Sequence, residues 1–375
     1  MPWHDRKVSR ILAVAPVPAP HRYQQSDLTA MFADLVGLGP ERRDLLERLH
    51  SSCGVRHRNL ALPMEDYKGL DGFGDSNDAF IEVGLDLGEQ AVSTALAQAG
   101  LTPADVDIVL TTSVTGIAAP SLDARLVERL GLRPDVKRVP VFGLGCVAGA
   151  AGIARLHDYL VGHPDDVAVL LSVELCSLTV QRDDDSMANL VGSGLFGDGA
   201  AAVVMAGDGV GVPAARGAAG ASGLAPSVLA TRSRLFADTE RIMGWDIGGS
   251  GFRIVLSPGV ADVVRDHLPA EVDAFLAAQG LARADIGRWV AHPGGPRVLE
   301  ALQDCLALPA GALDTSWRSL ADVGNLSSSS VLHVLASMLT QDGLAPAAPY
   351  GILMAMGPGF CAELVLLRWP DVAAA

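Results

Sequence analysis

One stretch of this chain is written twice, and the repeat restricts the fold more than any other feature. Gly100-Leu101-Thr102-Pro103-Ala104-Asp105-Val106-Asp107-Ile108-Val109-Leu110-Thr111 matches Gly280-Leu281-Ala282-Arg283-Ala284-Asp285-Ile286-Gly287-Arg288-Trp289-Val290-Ala291. Each copy is a helix-ending Gly-Leu, a polar turn with Ala-Asp, then an apolar strand. Forty-five residues after Leu101 stands Cys146, and forty-four after Leu281 stands Asn325. Each follows a glycine (Gly145, Gly324) and precedes a helix-like apolar run. The ends also rhyme, Phe196-Gly197-Asp198-Gly199-Ala200 through Met205 against Gly357-Pro358-Gly359-Phe360-Cys361 through Leu367. Strands alternate with helices in both copies, which predicts an α/β architecture of two related halves. A pseudo-twofold between them would set Cys146 and Asn325 at matching helix N-termini near one central cavity. The Gly- and Ala-rich stretch from Gly207 to Gly223 reads as the join, giving halves 1–215 and 216–375. The start, up to about Leu60, has no counterpart and is expected to form an added helical layer.

Composition narrows the class. Although 49% of the 375 residues are hydrophobic, no run approaches the roughly 20 apolar residues needed to span a bilayer. The N-terminus, Met1-Pro2-Trp3-His4-Asp5-Arg6-Lys7, is charged, and three prolines interrupt the apolar stretch from Ile11 to Pro20. That is a poor signal peptide, so a cytoplasmic protein is expected. Five cysteines without CxxC or Cys/His spacing suggest neither a disulfide framework nor a metal site. A net charge of −15 argues against a general nucleic-acid binder. It leaves room for a local cationic mouth. Arg48, His50, Arg56, His57 and Arg58 form the densest basic patch, either a solvated surface with partners such as Glu47 or a contact for the phosphates of a bulky anionic substrate.

Three polar residues are candidates for chemistry. Cys146 lies in Phe142-Gly143-Leu144-Gly145-Cys146-Val147-Ala148-Gly149, where a strand-like run (Val139 to Phe142) meets a predicted buried helix. A helix N-terminus favours thiolate over thiol, while the plainer reading is a small buried core residue. His292 ends the strand Arg288 to Ala291 and is followed by Pro293-Gly294-Gly295-Pro296, a turn that cannot continue the strand. Its plainer reading is a satisfied structural histidine. Asn325, in Gly324-Asn325-Leu326-Ser327-Ser328, could be a simple helix N-cap. Together the three have a chemical sense. A thiolate paired with an imidazolium can hold an acyl group as a thioester, and His and Asn N–H donors can stabilise an enolate. His157 and His333 fall within predicted helices and read as structural.

With these residues in place the chain resembles the type III polyketide synthases, the chalcone-synthase-like family of the thiolase superfamily. The matching pieces are Gly143-Leu144-Gly145-Cys146, Leu195-Phe196-Gly197-Asp198-Gly199-Ala200-Ala201, His292 to Pro296, Gly324 to Ser328 and Met356-Gly357-Pro358-Gly359, in family order. The resemblance implies a five-layered αβαβα thiolase-like fold, a homodimer, and acyl-CoA and malonyl-CoA as substrates with no metal or other cofactor. It implies that Cys146 carries the acyl chain and that His292 with Asn325 promotes decarboxylation of malonyl-CoA. Val180 to Asp184, Met243 to Asp246, Gly251 to Ser257 and Leu353 to Cys361 resemble bacterial alkylresorcinol and alkylpyrone synthases, which implies a fatty acyl primer and cyclisation to an alkylresorcinol or alkylpyrone. By the same resemblance Phe252, Thr115, Ala119 and Gly357-Pro358-Gly359 border the substrate, with Ala119 replacing a bulkier methionine of plant members beside the dimer-crossing loop. Arg48, Arg56 and Arg58 are the expected CoA contacts, of which only Arg48 aligns with the plant pattern, and Thr179 replaces a second phenylalanine. Alternatives are a synthase using another starter or extender (methylmalonyl-CoA, an aromatic or a short acyl group), a ketoacyl-synthase-III-like condensing enzyme, and a non-catalytic partner subunit.

Overall fold

The computed structural model describes residues 7–211, 226–340 and 349–370. The expected join between residues 215 and 216 lies outside the described residues. In chain order the first part runs β1 (Ser9–Pro18), β2 (His21–Gln24), α1 (Gln25–Val36), α2 (Pro40–Ser52), β3 (His57–Leu60), α3 (Phe73–Ala99), β4 (Ile108–Ser113), α4 (Leu122–Leu130), β5 (Lys137–Phe142), α5 (Ala148–Gly162), β6 (Val167–Leu175), α6 (Met187–Leu195) and β7 (Asp198–Gly207). The second runs β8 (Ser227–Leu235), β9 (Met243–Gly248), β10 (Gly251–Leu256), α7 (Val260–Ala277), β11 (Ile286–Ala291), α8 (Pro296–Cys305), α9 (Asp314–Val323), α10 (Ser330–Thr340), β12 (Tyr350–Gly357) and β13 (Cys361–Arg368).

The repeat is a structural repeat. Gly100 and Gly280 end α3 and the α7 segment in the left-handed conformation (φ 68° and 70°), where glycine carries no steric penalty. In each, the following leucine N–H reaches back five residues, Leu101 to the Leu96 carbonyl at 2.9 Å and Leu281 to the Leu276 carbonyl at 3.0 Å. The Ala-Asp turns close alike, Asp105 accepting from the Thr102 N–H and Asp285 from the Ala282 N–H. Strand order confirms the match. The nine-stranded sheet runs β11-β12-β13-β8-β1-β7-β6-β4-β5. Outward from the middle, β1, β7, β6 and β4 pair antiparallel, antiparallel and parallel, and β8, β13, β12 and β11 do the same. Within the sheet, the described residues of the two halves pair where Ser9 and Arg10 of β1 meet Val228 and Ser227 of β8. Edge strand β5 has no counterpart among the described residues.

Alternation along the strands places the layers. On β6, Val169, Leu171 and Val173 face Leu87, Ala91 and Ala95 of α3, whereas Ala168 and Leu170 share a core with Ile153 and Leu160 of α5. On β13, Val365 and Leu367 join that same core, which also holds Val331 and Leu335 of α10. Leu364 and Leu366 turn to the other face with Val264 and Leu268 of α7 and Leu299 and Leu302 of α8. The result is helix, sheet, helix, sheet, helix, as the resemblance implied. One expectation is corrected: the chain before Leu60 is more than an added helical layer. Its β1 carries Ile11, Val14 and Val17, all buried, so the segment supplies a central strand of the sheet, and α1, α2 and the two-stranded β2–β3 sheet are the additions.

Candidate active site

Cys146 lies in a 3₁₀ turn, Gly145–Val147, between β5 and α5. Gly145 has φ 57°, and a Cβ there would stand 2.6 Å from Cδ of Pro358. A Cβ on Gly357 would likewise stand 2.6 Å from the Leu144 carbonyl oxygen. The Gly-Leu-Gly turn of the first half and the Gly-Pro-Gly loop between β12 and β13 therefore meet at backbone distance, and side chains there would part them. Gly359 turns the chain into β13 beside Leu235.

His292 directly follows β11, and its backbone N–H donates to the Met354 carbonyl of β12 at 2.9 Å. Its side chain is buried, and neither ring nitrogen has a hydrogen-bond partner among the described residues. The plainer expectation of a satisfied histidine is not met. Asn325 does both things open to it. Its Oδ1 accepts from the Ser327 N–H at 2.8 Å and the Ser330 hydroxyl at 3.4 Å, which is capping, while Nδ2 donates to the Gly294 carbonyl, next to His292, at 3.3 Å. That cap holds Ser327 at φ 48°, unusual for a residue with a side chain, and sets its hydroxyl 3.7 Å from Cys146 Sγ.

Cys146, His292, Asn325, Ser327 and Pro358 line one cavity of about 380 Å³, a volume suited to a small organic ligand. Its walls are apolar, including Val191, Leu195, Trp245, Ile254, Leu256 and Val264. The lining residues that reach solvent, among them Ser52, Met187, Pro258 and Arg297, mark its opening.

Electrostatics correct one expectation. Burial pushes the Cys146 thiol up to about 12, with the Ser327 hydroxyl opposing the shift and the Glu174 carboxyl adding to it, so the helix terminus does not win. Burial likewise pulls His292 down to about 4. Burial thus disfavours the charged form of both groups. A base and a thiol on one cavity can still exchange a proton once an acyl donor enters.

The other expected site residues are divided. Phe252 is buried in an aromatic cluster, 5.4 Å from Phe73 and 6.0 Å from Trp245 between ring centres, and it is Trp245 that lines the cavity. Thr115 is buried behind the wall, donating to Glu174 Oε2 at 3.1 Å and accepting from the Leu175 N–H, while its neighbour Val114 lines the cavity. Ala119 sits on an exposed loop away from this cavity. Arg58 does not line this cavity. It is buried, donates to Gln25 Oε1 at 3.0 Å and the Phe196 carbonyl at 2.8 Å, and burial lowers its pKa to about 10. Arg56 is engaged with Asp322 at 2.8 Å. Arg48 is exposed on α2, one turn before Ser52 at the opening. His157 and His333 are structural, bonded to Ser9 and to the Ala200 carbonyl.

Sequence reasoning missed Glu174. Its carboxyl is buried behind Cys146, accepts from the Val114 N–H at 3.1 Å and from the hydroxyls of Thr115 and Ser328, and is held up at about 6 by burial. A lone acid in the apolar strand Val167–Leu175 was the available signal. Cys53 and Cys176 also line the cavity.

Comparison with known proteins agrees with this geometry. Residues 25–209 match the N-terminal domain, and residues 228–370 the C-terminal domain, of the chalcone and stilbene synthases. The chain is 60% identical over 366 residues to a 1,3,6,8-tetrahydroxynaphthalene synthase of Streptomyces peucetius subsp. caesius, covering 97% of this chain and 94% of that protein. It is 35% identical over 332 residues to a putative chalcone synthase of Bacillus subtilis, covering 86% and 89%. The crystal structure of 1,3,6,8-tetrahydroxynaphthalene synthase from Streptomyces coelicolor A3(2) superposes with a TM-score of 0.86 at 28% identity, covering 96% of this chain and 99% of that one.

Proposed function

The chain belongs to the chalcone and stilbene synthase family and is a type III polyketide synthase, and from that premise we propose that it condenses malonyl-CoA units on Cys146 into a hydroxylated aromatic polyketide without an alkyl tail. The convergence of Cys146, His292 and Asn325 on one apolar-walled cavity carries the reading. In this scheme the Cys146 thiol loses its proton to His292 and attacks a thioester carbonyl, and CoA leaves as its thiol. The acyl group remains on sulfur. Asn325 Nδ2 and the His292 ring then donate to the thioester oxygen of a second malonyl-CoA, CO₂ departs, and the enolate attacks the Cys146 thioester. A carbon–carbon bond forms and the extended chain passes to CoA, leaving Cys146 free for the next cycle.

Support for a tail-free product comes from the 60% identity to a 1,3,6,8-tetrahydroxynaphthalene synthase. Its product is a naphthalene with oxygen on alternating carbons, the pattern left when two-carbon units alone are joined. The expected fatty acyl primer and alkylresorcinol or alkylpyrone product stand as a second reading, which the apolar walls favour. The two separate in one experiment. The purified protein is incubated with malonyl-CoA alone and with malonyl-CoA plus acyl-CoAs of graded length, and products are identified by mass spectrometry. Aromatic product from malonyl-CoA alone supports the first reading. Product only with added acyl-CoA, keeping the alkyl tail, supports the second.

A homodimer belongs to the same proposal. Val139 and Phe142 are exposed on edge strand β5, and Ile117 is exposed on the loop that carries Ala119. An apolar edge strand and a projecting loop suit a second copy of the chain.

A further inference from the structure

Two residues after Asn325 the chain reads Ser327-Ser328-Ser329-Ser330, and all four serines are buried. Hydroxyls in so dry a place are destabilising unless each finds a partner. Each does, and each a different one. Ser327 meets Cys146 Sγ. Ser328 donates to the Glu174 carboxyl and meets the Ser172 hydroxyl at 2.8 Å. Ser329 meets that same hydroxyl at 2.7 Å and donates to the Ser172 carbonyl at 3.2 Å. Ser172 and Glu174 are alternate residues of β6, on the face where Ala168 and Leu170 share a core with α5. Strand β6 therefore turns polar where the serine run crosses it, and it anchors the two middle serines.

Ser330 acts on Asn325. Its hydroxyl oxygen accepts the Leu326 N–H at 2.6 Å, and its own proton is directed to Asn325 Oδ1 at 3.4 Å. With the Ser327 N–H at 2.8 Å, both lone pairs of Oδ1 are then occupied. A half-turn of the amide would set its oxygen against the Gly294 carbonyl oxygen and its NH₂ group against two donors. The orientation that remains gives one Nδ2 hydrogen to Gly294 and leaves the other for the cavity, which Asn325 lines and neither Ser330 nor Ser172 reaches.

We propose that Ser330, on a serine run anchored by Ser172, is a positioning residue that holds the Asn325 amide with an N–H toward the cavity and so sets the rate of malonyl-CoA decarboxylation. This rests on the role given to Asn325 above. Ser330→Ala, Ser172→Ala, Asn325→Ala and the double variant Ser330→Ala/Asn325→Ala are compared with the wild-type chain for CO₂ release from malonyl-CoA.

A single long hydrogen bond is lost in Ser330→Ala, so kcat for decarboxylation is expected to fall about five- to ten-fold, with KM for malonyl-CoA unchanged. Ser172→Ala acts at one remove and should give a smaller fall in the same direction. A residue that works only through Asn325 adds nothing once that amide is gone, so the double variant should match Asn325→Ala. A further five-fold loss in the double variant would overturn the assignment, because a merely structural role is additive. Wild-type kcat in Ser330→Ala, or a rise in KM alone, overturns it as well. Should Ser330→Ala fail to fold with the Leu326 N–H left unpaired, Ser172→Ala with and without Asn325→Ala carries the same test. Failure of the underlying reading looks different: there Asn325→Ala itself releases CO₂ at the wild-type rate.

Discussion

Cys146 and Asn325 occupy equivalent points of the two halves, and their surroundings differ sharply. Both stand in a short 3₁₀ segment or just before one, ahead of α5 and α10, and those helices pack on each other so closely that a Cβ on Gly149 would lie 2.8 Å from Cγ1 of Val331. Around Cys146 there is little polar contact beyond the Ser327 hydroxyl, and burial keeps the sulfur protonated. Around Asn325 every group is engaged: its backbone N–H on Leu195, its carbonyl on the Gly197 N–H, its Oδ1 on Ser327 and Ser330, its Nδ2 on Gly294. One half thus offers a group free to form and break a covalent bond. The other offers a donor held still before the substrate arrives. Duplication supplied the scaffold twice, and the chemistry depends on the copies having diverged.

The largest expected effect falls on the mobile side of this comparison. Cys146→Ala removes the only atom proposed to hold the acyl chain, so acyl loading and product formation should vanish together, with intact-mass spectra showing no adduct on incubation with malonyl-CoA. Covalent acylation that persists in this variant would transfer the nucleophile to another residue, with Cys53 and Cys176 the thiols left on the cavity.

On the fixed side two effects should coincide. Asn325→Ala loses an oxyanion donor and is expected to slow malonyl-CoA decarboxylation about 10²- to 10³-fold. It also loses a cap, at about 1 kcal/mol of stability. Ser186 provides the control, because it caps α6 by accepting the Asn189 N–H at 3.3 Å and lies outside the cavity lining. Ser186→Ala should cost similar stability in thermal melts and leave decarboxylation as it was. Equal slowing in both variants would reduce Asn325 to a cap.

The sequence carried the skeleton of all this because repeats and backbone signals are local. The Gly-Leu helix ends, the Ala-Asp turns and the strand that stops at His292 are all written within a dozen residues of where they act. Strand β1 was misread because an apolar run broken by Pro16 and Pro18 does not say that it will slot between β7 and β8, partners far along the chain. Arg58 was misread for the same reason, since its partners Gln25 and Phe196 meet it only after folding. Charge on a residue is legible in sequence; whether that charge has been neutralised is not. Glu174 is the converse case, an acid in a buried strand whose role depended on hydroxyls brought from two other segments.

The smallest expected effect tests whether the two sides are coupled at rest. Burial holds His292 at about 4, and His50 and His333 also at about 4, against about 6.5 for an unperturbed histidine. A histidine whose folded value is depressed takes up its proton more readily when the chain unfolds. Its contribution to stability is therefore full above about pH 6.5 and is lost as pH falls toward 4. Glu174 and Asp198 act in the opposite sense, since burial raises both to about 6 and their contribution is lost as pH rises through that value. Removing one depressed histidine should show against this background. His292→Gln is expected to lower its melting temperature less than wild type does between pH 6.5 and 4, whereas Cys146→Ala should follow the wild-type slope, because a thiol held near 12 stays protonated across that window. A resting thiolate–imidazolium pair holds the same number of protons, so it would leave these slopes unchanged and would show instead as thiolate ultraviolet absorbance that Cys146→Ala removes.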